Sequence, residues 1–244
     1  MTDEQGRVLD MVSEGKISVD EAERLLSALA GAPDSGKPGP HEGLGDALHR
    51  KIISVVVEDG GEPVDESMCD ETFTVGEFPQ VVVKNTNGRV RCEVGDEGSV
   101  RVRATLKNPR FVEYGVTQEA DVITVEAKHK SSGKASVLGF FGHRGGADIV
   151  VTAPRKTGLE IGAGNGAIEA SGFDGAFSIK SSNGAIALKD MNGELEVVAT
   201  NGKISLSACE GDLAARSING PITVEDARGS INASTVNGSV SFSG

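Results

Sequence analysis

The chain has 244 residues with 33 Gly, no Trp, one Tyr and 38% hydrophobic residues, enough for a long thin core of small aliphatics but hardly for a deep globular one. Its formal charge of -12 argues against a general nucleic-acid binder, because neutralising phosphates takes a basic face. The cysteines Cys69, Cys92 and Cys209 form no C-x-x-C pair and fit a reducing compartment; Cys92 and Cys209, in strand-rich stretches, read as small hydrophobes.

At the amino terminus, Thr2-Asp3-Glu4-Gln5 and Ser18-Val19-Asp20-Glu21 both read as capping boxes, with Gly15 and Gly31 placed to stop the helices they open. Residues 1–31 are therefore expected to form an α-helical hairpin. Val8, Met11 and Val12 line one helix, and Ala22, Leu25, Leu26 and Leu29 line the other. A hairpin of this size is too small to be stable alone. It docks on its own chain, pairs with a second copy, or binds another protein, and homo-oligomerisation leads because residues 32–50, with Pro33, Pro38 and Pro40, read as a flexible tether. The charged first 30 residues carry no signal-peptide pattern, and no apolar run reaches the roughly 20 residues of a membrane span. The expected location is cytoplasmic, with peripheral contact with the membrane as a further option.

Residues 51–244 are assigned to one strand-rich domain. Asn87-Gly88 followed by Gly98 gives a first, loose repeat, and Val122 to Ala127 and Asp148 to Ala153 alternate apolar with polar. A β-solenoid is expected to begin near residue 70, interrupted by an insertion over 128–146. That insertion holds Lys128, Lys130, Lys134 and Arg144 around Phe140 and Phe141, a basic loop with an aromatic tip that suits an anionic membrane surface or an amphipathic peptide. Alternatively Leu138, Phe140 and Phe141 fold back to cap the core.

From residue 165 to 244 an Asn-Gly pair returns at every eighteenth position: Asn165-Gly166, Asn183-Gly184, Asn201-Gly202, Asn219-Gly220 and Asn237-Gly238. Halfway between them sit Asp174-Gly175, Asn192-Gly193, Glu210-Gly211 and Arg228-Gly229. The glycines are expected to supply the positive φ of a tight corner, and the arms between corners alternate, as in Ile186/Leu188 and Leu195/Val197. This predicts a mainly β chain, a β-solenoid in which each turn of the repeat is one coil of two strands, its corner Asn residues bonding from coil to coil. An antiparallel meander is the rival arrangement.

Catalytic, cofactor and metal sites are not expected. The outward columns Glu169, Ala187, Ser205, Thr223, Ser241 and Ser178, Glu196, Ala214, Asn232 offer isolated acids, not a carboxylate pair across a groove. Calcium-binding nonapeptides need an Asp at every corner, whereas the corner acid appears only at Asp174 and Glu210. Gly162 to Gly166 matches neither nucleotide fingerprint, and the histidines lack ligand spacing.

The stretch Arg7 to Ser18 with Glu21 to Leu26 resembles the SHOCT-like helical hairpin of certain bacterial proteins. The run Ala147 to Pro154, Leu159 to Ile161 and the Asn-Gly coils resemble the bacterial putative-adhesin β-solenoid family of unknown function, the two-part plan of the YvlB-like and LiaX-like proteins of Gram-positive bacteria. The resemblance implies a right-handed β-solenoid and an association with cell-envelope stress; it carries over no catalytic residue. The expected function is a non-enzymatic scaffold or binding protein whose hairpin oligomerises or docks. A surface adhesin or glycan- or peptide-binding module is the alternative, and a hydrolase on a β-helix the third.

Overall fold

The structure, a computed structural model, describes residues 66–130 and 145–244, together with the backbone of 51–55. The helical hairpin with Leu25, Leu26 and Leu29, the tether, and Lys134, Phe140, Phe141 and Arg144 of the insertion lie outside the described residues. The chain divides into Met1–Asp46 and Ala47–Gly244, and all that follows concerns the second unit.

This unit is mainly β. Its strands are β1 (Lys51–Val55), β2 (Glu66–Thr74), β3 (Gln80–Asn87), β4 (Val90–Val94), β5 (Ser99–Lys107), β6 (Val112–Glu119), β7 (Val122–His129), β8 (Gly146–Ala153) and β9 (Gly158–Asn165). The regular part continues with β10 (Ile168–Ser171), β11 (Asp174–Asn183), β12 (Ile186–Lys189), β13 (Asn192–Ala199), β14 (Ile204–Ser207), β15 (Glu210–Ser217), β16 (Ile222–Glu225), β17 (Arg228–Thr235) and β18 (Val240–Ser243).

They build two nine-stranded sheets, ordered β1-β6-β7-β3-β9-β11-β13-β15-β17 and β18-β16-β14-β12-β10-β4-β8-β5-β2. From β9 onward the chain alternates between the sheets, and each strand pairs in parallel with its counterpart in the next coil, Leu195 beside Leu213 and Ile186 beside Ile204. The parallel pairing removes the antiparallel meander for this part. Each strand turns alternate side chains inward, so the repeat stacks like on like: Phe177, Leu195 and Leu213 on one sheet face Ile186, Ile204 and Ile222 on the other, all buried. A fully buried aliphatic contributes about 1.5–3 kcal/mol, and no coil completes its own core without its neighbours.

The order of stacking departs from the sequence expectation. The coil formed by β3 and β4 pairs with β9 and β10, far along the chain (Val81 beside Leu159, Val90 beside Ile168), and on its other side with β7 and β8. Strands Val122–His129 and Gly146–Ala153 thus form a coil of the stack, although they follow β4 in sequence, and the expected insertion over 128–146 narrows because Lys128, His129 and Gly146 are in strands. Before residue 158 the stack also carries antiparallel strands: β5 runs against β2 and β8, and β6 against β1 and β7. A fixed sequence period cannot see pairings that close over such separations.

The reason for the corner glycines needs correcting in part. Gly166, and at the other corner Gly193, Gly211 and Gly229, have the positive φ expected of them, but Gly184, Gly202, Gly220 and Gly238 do not. A Cβ on Gly184 would stand 1.9 Å from the carbonyl oxygen of Gly166, and one on Gly202 would stand 2.0 Å from that of Gly184. These corners need glycine because successive backbones touch there. Left-handed backbone recurs at the other corner, at Gly172 and at the non-glycines Asp190, Ala208 and Asp226, which hold the same place in successive coils.

Candidate functional site

The corner asparagines form a continuous ladder. Asn165 Nδ2 donates to Asn87 Oδ1 at 2.8 Å, Asn183 to Asn165 at 3.0 Å, and Asn201, Asn219 and Asn237 each to the preceding Asn at 2.8 Å. An amide carries both donor and acceptor, so one residue type extends such a ladder indefinitely. The ladder fixes the register of the coils, and with it the side chains on the two outer faces.

On the face of the first sheet, neighbouring strands bring three rows together. One row is basic: Lys84, Gly162, Lys180, Val198 and Arg216. Two residues toward the strand starts lies Glu160, Ser178, Glu196, Ala214 and Asn232; two further lies Ala176, Glu194, Asp212 and Ser230. Lys84, Lys180, Arg216, Glu160, Glu194, Glu196 and Asp212 are all exposed. Glu194 and Asp212 are direct cross-strand neighbours, an unfavourable placement for like charges. Shallow grooves run across the strands between the acidic rows, lined by Glu194, Glu196, Asp212 and Ala214 at one end and by Gln80, Glu160, Ala176 and Ser178 at the other.

The expectation of isolated acids therefore fails on this face: four carboxylates gather across four adjacent strands. A reading confined to the column through Glu196 misses Glu194 and Asp212, which stand one row away and one repeat apart, and Lys180 and Arg216, which stand two repeats apart. The repeat itself is the signal that finds them. Lys84 joins only through the long-range pairing of β3 with β9, whereas Glu160 stands one repeat before Ser178, its partner on β11.

On the face of the second sheet several charges are paired. Arg91 Nε lies 2.7 Å from Glu93 Oε1 and 3.9 Å from Glu169 Oε2, and Arg89 Nε lies 3.8 Å from Glu169 Oε1. Arg101 grips Asp70 through Nε and a terminal nitrogen, and this hydrogen bonding holds the Asp70 carboxyl below its ordinary range. Beyond Glu169 the row continues as Ala187, Ser205, Thr223 and Ser241.

Of the insertion residues, Lys128 lies near the end of β7 with its ammonium 2.8 Å from Glu126 Oε2, and Lys130 donates its backbone N–H to the Phe111 carbonyl at 2.8 Å. Cys92 and Cys209 are buried, and burial pushes the Cys92 thiol up to about 12. Among the described residues no group of three or more His, Cys, Asp or Glu could hold a metal ion, and no helix is long and apolar enough to cross a membrane.

Comparison with known proteins places the amino-terminal sequence first: residues 3–34 match the SHOCT-like domain. The chain is similar in structure to a putative cell adhesion protein from Clostridium sporogenes at 10% identity, covering 72% of this chain and 99% of that one with a TM-score of 0.50, which shows a shared fold. A putative adhesin from Bacteroides fragilis aligns at 12% identity over 75% of this chain and 100% of its own, with a TM-score of 0.35. A protein from Parabacteroides distasonis described as a putative lipid binding protein aligns at 14% identity over 72% and 96%, with a TM-score of 0.29. No curated protein matches the chain.

Proposed function

We propose that this chain is a non-enzymatic binding scaffold of the bacterial cell envelope response, a right-handed β-solenoid that presents flat, register-locked faces to partners. The observation that carries this reading is the first-sheet face, where charges of both signs stand exposed in rows on strands tied by the asparagine ladder. A rigid sheet pre-organises such rows, so binding costs little ordering of backbone. The SHOCT-like segment at residues 3–34 supports a second module for oligomerisation or docking, carried by Leu25, Leu26 and Leu29. Peripheral contact with an anionic membrane through Lys128, Lys130, Lys134, Arg144, Phe140 and Phe141 belongs to the same proposal.

The test is fractionation of native cells into cytosol, membrane and surface, with protease added outside intact cells. Protected protein, soluble or on the inner membrane face, is the expected result. Digestion on intact cells would replace this reading with the surface adhesin, for which the fold shared with the Clostridium sporogenes protein is the supporting observation.

A further inference from the structure

We infer that the face of the first sheet is a self-complementary surface on which a second copy of this chain docks, an association separate from the one proposed for the amino-terminal hairpin. Elsewhere on the described surface several charges are used up locally, as in the pairs of Arg101 with Asp70 and Lys107 with Asp148. On this face Lys180, Arg216, Glu160, Glu194, Glu196 and Asp212 have no ion pair among the described residues. Of its basic row, Lys84 alone is engaged, 3.5 Å from Glu126.

The unpaired charges are sorted by sign. Basic groups occupy one row and acids the two rows beside it, about 7 Å apart along the strands. A twofold axis lying in the face and running along the stack, between the basic row and the acidic rows, exchanges the two sides. It sets Lys180 of one copy against Glu160 and Glu196 of the other, and Arg216 against Glu196 and Asp212, and the symmetry makes every such pairing twice. It also offsets part of the Glu194–Asp212 repulsion within each copy, because the partner's Arg216 reaches toward Asp212. Between the charges stand Gly162, Ala176, Ser178 and Ala214, short enough for two sheets to approach to about 10 Å.

The face is small. Five strands at about 4.8 Å and three rows at about 7 Å cover roughly 20 Å by 15–20 Å, under the ~800 Å² per partner of a standard stable interface. The dimer is therefore weak, with a dissociation constant on the order of 10 µM, and sensitive to salt because its contacts are ionic.

Sedimentation equilibrium of the full chain tests this, with the double variant K180E/R216E and the triple variant E194K/E196K/D212K. Each variant alone weakens association about 10- to 100-fold, as does about 0.5 M salt for the wild-type chain, while melting curves stay unchanged. Mixing the two variants restores association as a heterodimer, which separates a lost interface from a damaged fold. A wild-type chain that stays monomeric to about 0.1 mM overturns the proposal. So does an association that K180E/R216E leaves intact but L25D/L29D abolishes, which would place all self-association on the hairpin. Mixed variants that fail to associate also overturn it.

Discussion

Replacing Gly202 with Ala tests the claim that the Asn-Gly corners from Gly184 onward require glycine through contact between coils and not through backbone conformation. The new methyl carbon would stand 2.0 Å from the Gly184 carbonyl oxygen, whereas a close C···O contact is about 3.3 Å. The two coils must part locally by about 1.3 Å. Three hydrogen bonds cross at this corner: Asn201 N to Ser182 O at 2.8 Å, Ile186 N to Lys203 O at 2.9 Å, and Asn201 Nδ2 to Asn183 Oδ1 at 2.8 Å. That separation takes each beyond bonding range, for a loss of about 3 kcal/mol at about 1 kcal/mol apiece. Alanine stiffens the unfolded chain and returns about 0.4–1 kcal/mol, leaving a net loss of about 2–3 kcal/mol. Denaturant titration should show a lower midpoint at unchanged slope. The control is Gly162→Ala, where the new carbon meets only the Val83 carbonyl oxygen, at 4.0 Å, and φ is not positive. That variant should be neutral or more stable by up to about 1 kcal/mol. Equal losses in both variants, or no loss in Gly202→Ala, would refute the contact argument.

Ala208 has φ 51, left-handed backbone that costs an L residue about 1–2 kcal/mol, so Ala208→Gly should raise the melting temperature by about 2 °C in calorimetry, against the usual direction for glycine. Asn201→Ala removes a donated and an accepted ladder bond and Asn237→Ala only a donated one; their losses should stand near 2:1, about 1–2 against 0.5–1 kcal/mol by denaturant midpoint. The Cys92 thiol is raised from 9.0 to about 12 by burial, so above pH 9 the unfolded chain releases this proton while the folded chain keeps it. Stability should therefore be full below pH 9 and fall toward pH 12, by at most about 1.4 kcal/mol per pH unit from this group, and Cys92→Ser should flatten that slope.

Much of the fold is legible in the chain itself. The regular return of Asn-Gly and the alternation of Ile186/Leu188 against Leu195/Val197 specify stacked short strands, because in-register stacking is what lets identical side chains meet at a fixed interval. The Asn ladder follows from the same interval. Where the interval is absent, before residue 158, the sequence marks strands but not their partners: β3 sets Val81 beside both Ile123 and Leu159, and only the tertiary closure selects those two neighbours.

The candidate surface divides along the same line. Arg216 and Lys180, or Glu194 and Asp212, share columns that any coil count assigns. That Lys84 completes the basic row was decided by β3 inserting between β7 and β9. The glycine corners show the physical reason in small: sequence names the residue, but whether Gly202 serves φ or closeness depends on a carbonyl of the previous coil, 2.0 Å from where its side chain would begin. Local propensity and period act along the chain and can be read from it, whereas contact between backbones exists only once the coils are stacked.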